Sequence, residues 1–265
     1  MTAGPAVARG ALEKALRQRR DAGHKLLVPY VTGGLGRDWL EVVQALGAAG
    51  ADAIEIGIPF SDPAMDGPVI QQASAEALSA GATPSGIIAA LAKADAGVPL
   101  AVMTYYNIVF RAGHRRMAST LADAGVSAAI VPDLPLEELD GWGDEADLAG
   151  IETVLLVAPS SPEARLRAIC ARSRGFVYGV GVMGVTGERA TLGESALGVA
   201  ARCKDATDTP VLVGVGISNP EQAREVVAIA DGVVVGSALV HRLLKGAGPE
   251  GAAAFVSEIR AAIGG

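Results

Sequence analysis

The chain has 265 residues, half of them hydrophobic but only 4% aromatic, so a large core has to be built mainly from Ala, Val, Leu and Ile. A formal charge of -7 with no basic stripe speaks against a nucleic-acid partner, which needs concentrated positive charge to displace counterions. There is no apolar run of ~18 residues and no signal-peptide core, and the two cysteines, Cys170 and Cys203, form neither a disulfide framework nor a CxxC site, so a cytoplasmic protein without membrane contact is expected.

One theme repeats along the chain. After an amphipathic helix near Ala11–Arg20, short apolar runs rich in β-branched residues alternate with Ala-rich stretches of helical period. The apolar runs are Leu26–Val31, Ala53–Ile58, Leu100–Thr104, Ala128–Pro132, Thr153–Ala158, Phe176–Val180, Val211–Val215 and Gly232–Val235. Helical stretches include Trp39–Ala48, Arg115–Ala124, Pro162–Arg172 and Pro220–Ala230, and a last one covers Gly251–Ile263. Continuous apolar strands alternating with helices imply a parallel sheet covered on its outer face. Eight such units predict a (β/α)8 TIM barrel, one domain over residues 1–265, with the first helix plugging its floor. A doubly wound sheet is the alternative, but its dinucleotide loop is missing: Gly33-Gly34-Leu35-Gly36 does not match GxGxxG.

In such a barrel the chemistry sits on the loops after the strands. In Ala53-Ile54-Glu55-Ile56-Gly57-Ile58 the two-residue strand period puts the three isoleucines on the helix-facing side and Glu55 in the lumen. A carboxyl group there is costly as a bare charge, so its pKa should rise into the range useful for proton shuttling, unless a neighbour satisfies it. In the next loop either aspartate, Asp62 or Asp66, can fold back over the mouth, and a plain turn-forming role is the other reading of each. Gly214-Val215-Gly216-Ile217-Ser218 and Val235-Gly236-Ser237 end the last two runs, where backbone N–H groups and helix starts make an anion cradle. The loop Gly181–Arg189, with three glycines, reads as a lid.

Exclusion narrows the reaction. None of the five lysines lies at the C-terminal end of a strand, which argues against a Schiff base, and none of the three histidines does, which argues against a histidine-based metal site. What remains at the mouth is Glu55, Asp66, Asp133, Tyr105 and Tyr178, which points to metal-free proton-transfer chemistry on a phosphate ester.

The run from Ala53 to Gln71 closely resembles the signature of the tryptophan synthase alpha subunit family, and the likeness extends to Val28–Thr32, Met103–Asn107, Val131–Pro135, Gly184–Gly187 and Gly214–Ser218. The resemblance implies a lyase of tryptophan biosynthesis that cleaves indole-3-glycerol phosphate to indole and glyceraldehyde 3-phosphate. It implies Glu55 as the acid–base group, Asp66 as the carboxylate that stabilises the indolenine cation, and Tyr178 as a tyrosine beside Glu55. By the same likeness Thr186 closes the lid against Asp66, Tyr30 and Tyr105 line the indole pocket, and Gly187, Gly214, Gly216, Gly236 and Ser237 bind phosphate. No cofactor is implied, since the pyridoxal phosphate belongs to the beta subunit. That subunit is the implied partner in an alpha2-beta2 heterotetramer, contacted through Asp62, Pro63, Tyr106 and Asn107. Val215 stands where the family often has Phe, and Gly181-Val182-Met183 is a small, apolar version of the lid segment. A stand-alone lyase and a non-catalytic regulatory barrel are the competing readings; the second would have lost Glu55 or Asp66, and both are present.

Overall fold

The computed structural model describes residues 9–180, 194–214 and 216–264. The readings made for Thr186, Gly187, Val215 and the Gly181–Arg189 lid fall outside those residues.

The chain begins with α1 (Ala11–Asp21) and β1 (Leu26–Thr32), followed by α2 (Trp39–Ala48), β2 (Ile54–Gly57), α3 (Pro68–Ser79) and α4 (Pro84–Leu91). Then come β3 (Leu100–Met103), α5 (Tyr106–Ala112), α6 (His114–Asp123), β4 (Ala128–Ile130), α7 (Asp140–Ala149) and β5 (Glu152–Val157). The remainder runs α8 (Glu163–Arg172), β6 (Val177–Val180), α9 (Glu194–Ala206), β7 (Val211–Gly214), α10 (Pro220–Val227), β8 (Gly232–Val235), α11 (Ser237–Leu244) and α12 (Gly248–Ile263). Among the described residues the strands pair in parallel and in chain order, and β1 pairs with β8 to close the barrel.

Strand alternation divides the interior in two. Leu27, Ile54, Ile56, Val102, Ala129, Val177, Val213 and Val233 face the helices in one large cluster. Leu26, Val28, Ala53, Ala101, Ala128, Val154, Tyr178 and Leu212 fill the lumen, joined there by Leu12 and Leu16 of α1. Helix α1 therefore does plug the floor. Both leucines are fully buried, so each contributes roughly 1.5–3 kcal/mol. Two helix starts are fixed by side-chain caps followed by proline: Thr83 accepts the Gly86 N–H before α4, and Asn219 accepts the Gln222 N–H before α10.

Buried carboxylates lock the floor. Glu152, at the start of β5, accepts the backbone N–H groups of Leu12 (2.7 Å) and Glu13 (3.1 Å), which are otherwise orphan donors of α1. Asp52, just before β2, accepts the Leu27 N–H at 2.8 Å and the Arg19 guanidinium at 2.9 Å, and also pairs with Arg260 of α12. Arg260 further donates to the Gly50 and Lys25 carbonyls, so α12 is tied to the starts of β1 and β2. Among the described residues, the buried side-chain oxygens left without a partner belong to Glu55 in the lumen and to Thr32 and Thr104 at the mouth ends of β1 and β3.

Candidate active site

Glu55 pairs in register with Tyr30 of β1 and Ala101 of β3, and its isoleucine neighbours all face outward. Its side chain stands in the lumen, 1% exposed, and neither carboxylate oxygen has a hydrogen-bond partner within the protein. Burial, reinforced by the negative charge of Asp66, pushes its pKa up to about 8. A carboxyl group so placed holds its proton at neutral pH.

Asp66 and Asp62 separate cleanly. Asp62 is exposed and accepts the Ser61 hydroxyl at 2.6 Å, a local turn role. Asp66 is partly buried and turns towards the lumen, where its charge acts on Glu55, Tyr30 and Tyr178. Its backbone carbonyl accepts the Gln71 amide at 2.9 Å, which folds the loop back on the first turn of α3. Burial raises the Asp66 pKa to about 6, and a hydrogen bond from the Tyr105 hydroxyl opposes the rise. Two neighbouring carboxyl groups thus titrate apart, one protonated and one ionised near pH 7, the arrangement needed to divide acid and carboxylate roles.

Three tyrosines surround the pair. The Tyr30 and Tyr178 phenols are buried, and burial raises both pKa values, so they remain neutral donors. Each ring lies against a glycine. A Cβ at Gly57 would sit 1.9 Å from the Tyr30 Oη, and one at Gly214 would sit 2.4 Å from the Tyr178 Oη. Any side chain at either position would displace the tyrosine, which gives Gly214 a steric role beside any anion-binding one. Tyr105 stacks on Phe60, with centroids 4.9 Å apart and the planes at 25°, and its hydroxyl accepts the Met65 N–H at 3.0 Å.

The glycines expected to form an anion cradle stand at the ends of β7 and β8. Gly214 ends β7, and Gly216 beyond it has φ +60, a conformation glycine adopts without strain. Ser218 donates its N–H (2.8 Å) and hydroxyl (3.0 Å) to Gln222, which braces that loop against α10. Gly236 follows β8 beside Tyr30 Cβ, and Ser237 opens α11, whose positive end therefore faces the mouth. The helix start expected after Ser237 is α11, whereas α5 on the β3 side had no counterpart among the stretches read as helical. The sequence reading also passed over Thr32 and Thr104, buried at the ends of β1 and β3 with hydroxyls that have no protein partner. For Thr32 the signal was available, because it lies two residues after Tyr30 and so shares its inward face. Among the described residues no three His, Cys, Asp or Glu side chains gather in a metal-holding group.

The family model for the tryptophan synthase alpha chain matches residues 16–261. The tryptophan synthase alpha chain of Streptomyces coelicolor is 46% identical over 237 residues, covering 87% of this chain and 86% of that one. That of Thermobifida fusca is 45% identical over 239 residues, 88% of each. Among solved structures, Mycobacterium tuberculosis tryptophan synthase superposes with a TM-score of 0.90 at 37% identity, covering 97% of this chain and 99% of that chain. The tryptophan synthase alpha chain of Legionella pneumophila gives 0.86 at 30% identity, covering 97% and 98%. Fold and sequence therefore agree: the chain belongs to the tryptophan synthase alpha chain family.

Proposed function

We propose that Glu55 and Asp66 divide the work of the family's reaction, the retro-aldol cleavage of indole-3-glycerol phosphate to indole and glyceraldehyde 3-phosphate. The observation that carries the assignment is geometric: Glu55 is buried in the lumen with no hydrogen-bond partner for either carboxylate oxygen, and Asp66 turns in beside it, an arrangement that pushes the Glu55 pKa up. Glu55 gives its proton to indole C3, which leaves the ring nitrogen positive, and Asp66 accepts the N1–H and stabilises that charge. The ionised Glu55 then takes the proton of the C3′ hydroxyl. The C3–C3′ bond breaks, its electron pair returns to the ring, and the C3′ oxygen becomes the aldehyde. Glu55 ends protonated, as it began, so the cycle requires neither a metal nor a cofactor.

Tyr178 steadies Glu55 from β6. Tyr30 and Tyr105 bound the indole pocket, and Gly214, Gly216, Gly236 and Ser237 hold the phosphate, with Thr186 and Gly187 completing the site. The whole chain works as one barrel domain in the cytoplasm. Its partner is a beta subunit, which carries the pyridoxal phosphate and docks on Asp62, Pro63, Tyr106 and Asn107 to form an alpha2-beta2 assembly. Two exposed apolar side chains near these residues, Met65 at 43% and Phe110 at 67%, favour a docking surface on this rim.

The test is indole release by the purified chain, alone and with beta subunit. Glu55→Gln and Asp66→Asn should each lose cleavage by several orders of magnitude while still binding the substrate. Added beta subunit should accelerate the wild type. Near-normal turnover by Glu55→Gln removes its assigned role, and fast turnover that beta subunit leaves unchanged favours the stand-alone lyase.

A further inference from the structure

Asp133, a third carboxylate that the sequence places at the mouth with Glu55 and Asp66, has no part in this scheme. It lies in the loop after β4, where its Oδ1 accepts the backbone N–H of Tyr106 at 2.8 Å. That N–H is the first of α5, and α5 has no side-chain cap from its own preceding residue, Tyr105. The acceptor is supplied instead from the loop after the neighbouring strand, 27 residues along the chain.

The consequence falls on Tyr105. Its backbone is the hinge between β3 and α5, and its ring is clamped by Phe60. Its hydroxyl accepts the Met65 N–H and donates to the Asp66 carboxylate. One chain of contacts therefore runs from Asp133 to the start of α5, then to the Tyr105 phenol, then to the loop that carries Asp66. We propose that Asp133 is a positioning residue for the cleavage reaction: it fixes the start of α5, and through it the Tyr105 hydroxyl that orients Asp66. The proposal rests on the role given to Asp66 above. The groups that face Asp66 from the surrounding strands are Glu55 of β2, Tyr30 of β1, Tyr178 of β6 and Tyr105 itself. Asp133 reaches it only through Tyr105.

A carboxylate that must meet a charge developing in the transition state is sensitive to small displacement, so losing its support costs kcat more than binding. Asp133 is exposed, so its replacement leaves no cavity, and far-UV circular dichroism and the melting temperature serve as the folding check. The experiment measures kcat and KM for indole-3-glycerol phosphate in Asp133→Ala, Asp133→Asn, Tyr105→Phe and the Asp133→Ala/Tyr105→Phe double variant, with Asp66→Asn beside them. Asp133→Ala should lower kcat between about 10-fold and about 100-fold with little change in KM. Asp133→Asn keeps an oxygen acceptor for the Tyr106 N–H and should restore most of the loss. The double variant should be no slower than the slower single, because both act through one hydroxyl. Wild-type kcat in Asp133→Ala overturns the proposal, as does Asp133→Asn falling as far as Ala, or losses that multiply in the double variant. If Asp66→Asn itself keeps cleaving, the reading of the site fails instead, and the two failures are told apart by that arm.

Discussion

Glu55→Gln should stabilise the protein, and should do so more strongly as the pH rises. The folded state holds the Glu55 proton to about 8, against a value near 4.5 once the chain is unfolded. For an acid whose folded pKa is raised, stability is complete below the unfolded pKa and declines as pH climbs through the window between the two values, here 4.5 to about 8. Each unit is worth about 1.4 kcal/mol, so roughly 3 kcal/mol has been lost by about pH 7 and roughly 5 kcal/mol once the window is crossed. Glutamine cannot ionise and escapes that loss. The advantage of the variant should therefore grow by about 2.5 kcal/mol between about pH 5 and about pH 7, a large share of an ordinary domain's 5–15 kcal/mol. Urea unfolding of both proteins at the two pH values measures it, provided the m-values match. An offset between the two proteins that does not change with pH would refute the buried proton, whatever the activity of the variant.

Three further outcomes follow from the same geometry. The pH profile of kcat/KM should be bell-shaped, falling below about 6 as Asp66 takes a proton and above about 8 as Glu55 loses its own; a profile flat from 5 to 9 would contradict the division of roles. Gly214→Ala puts a methyl 2.4 Å from the Tyr178 hydroxyl and should lower kcat/KM by about 10-fold to 100-fold in a folded protein, so unchanged kinetics would deprive the tyrosine seat of its importance. Arg260→Ala strips the buried Asp52 of one of its two cations and should cost about 3 kcal/mol in urea unfolding, at the lower end for breaking a buried pair, while leaving kcat at its wild-type value.

Much of this was legible in the residues because it depends on periodicity. Ile54, Ile56 and Ile58 around Glu55 declare which side faces the helices, and the pattern holds in whatever barrel the strand joins. The strand runs also match, though the sequence extends β3 to Thr104, β4 to Pro132 and β5 to Ala158, one or two residues past the ladders. At those ends the apolar pattern continues while the chain bends over the mouth, and only backbone pairing can mark the change. The choice of Asp66 over Asp62 rested on the family likeness and not on periodicity, because the hydrogen bond that ties Asp66 into the site comes from Tyr105, far along the chain after β3. Glu152 was invisible for the same reason: its partners are N–H groups of α1, 140 residues earlier. Helix α5 was not told apart from β3 because its 7 residues present too few turns for a helical period to stand out beside a strand.

The most direct measurement is the carboxyl stretch of Glu55 itself, by infrared difference spectroscopy of wild type against Glu55→Gln across a pH titration. The account predicts a protonated carboxyl band still present at neutral pH that disappears with a midpoint near 8. A band already lost by about pH 5, the range of an ordinary solvated glutamate, would contradict it.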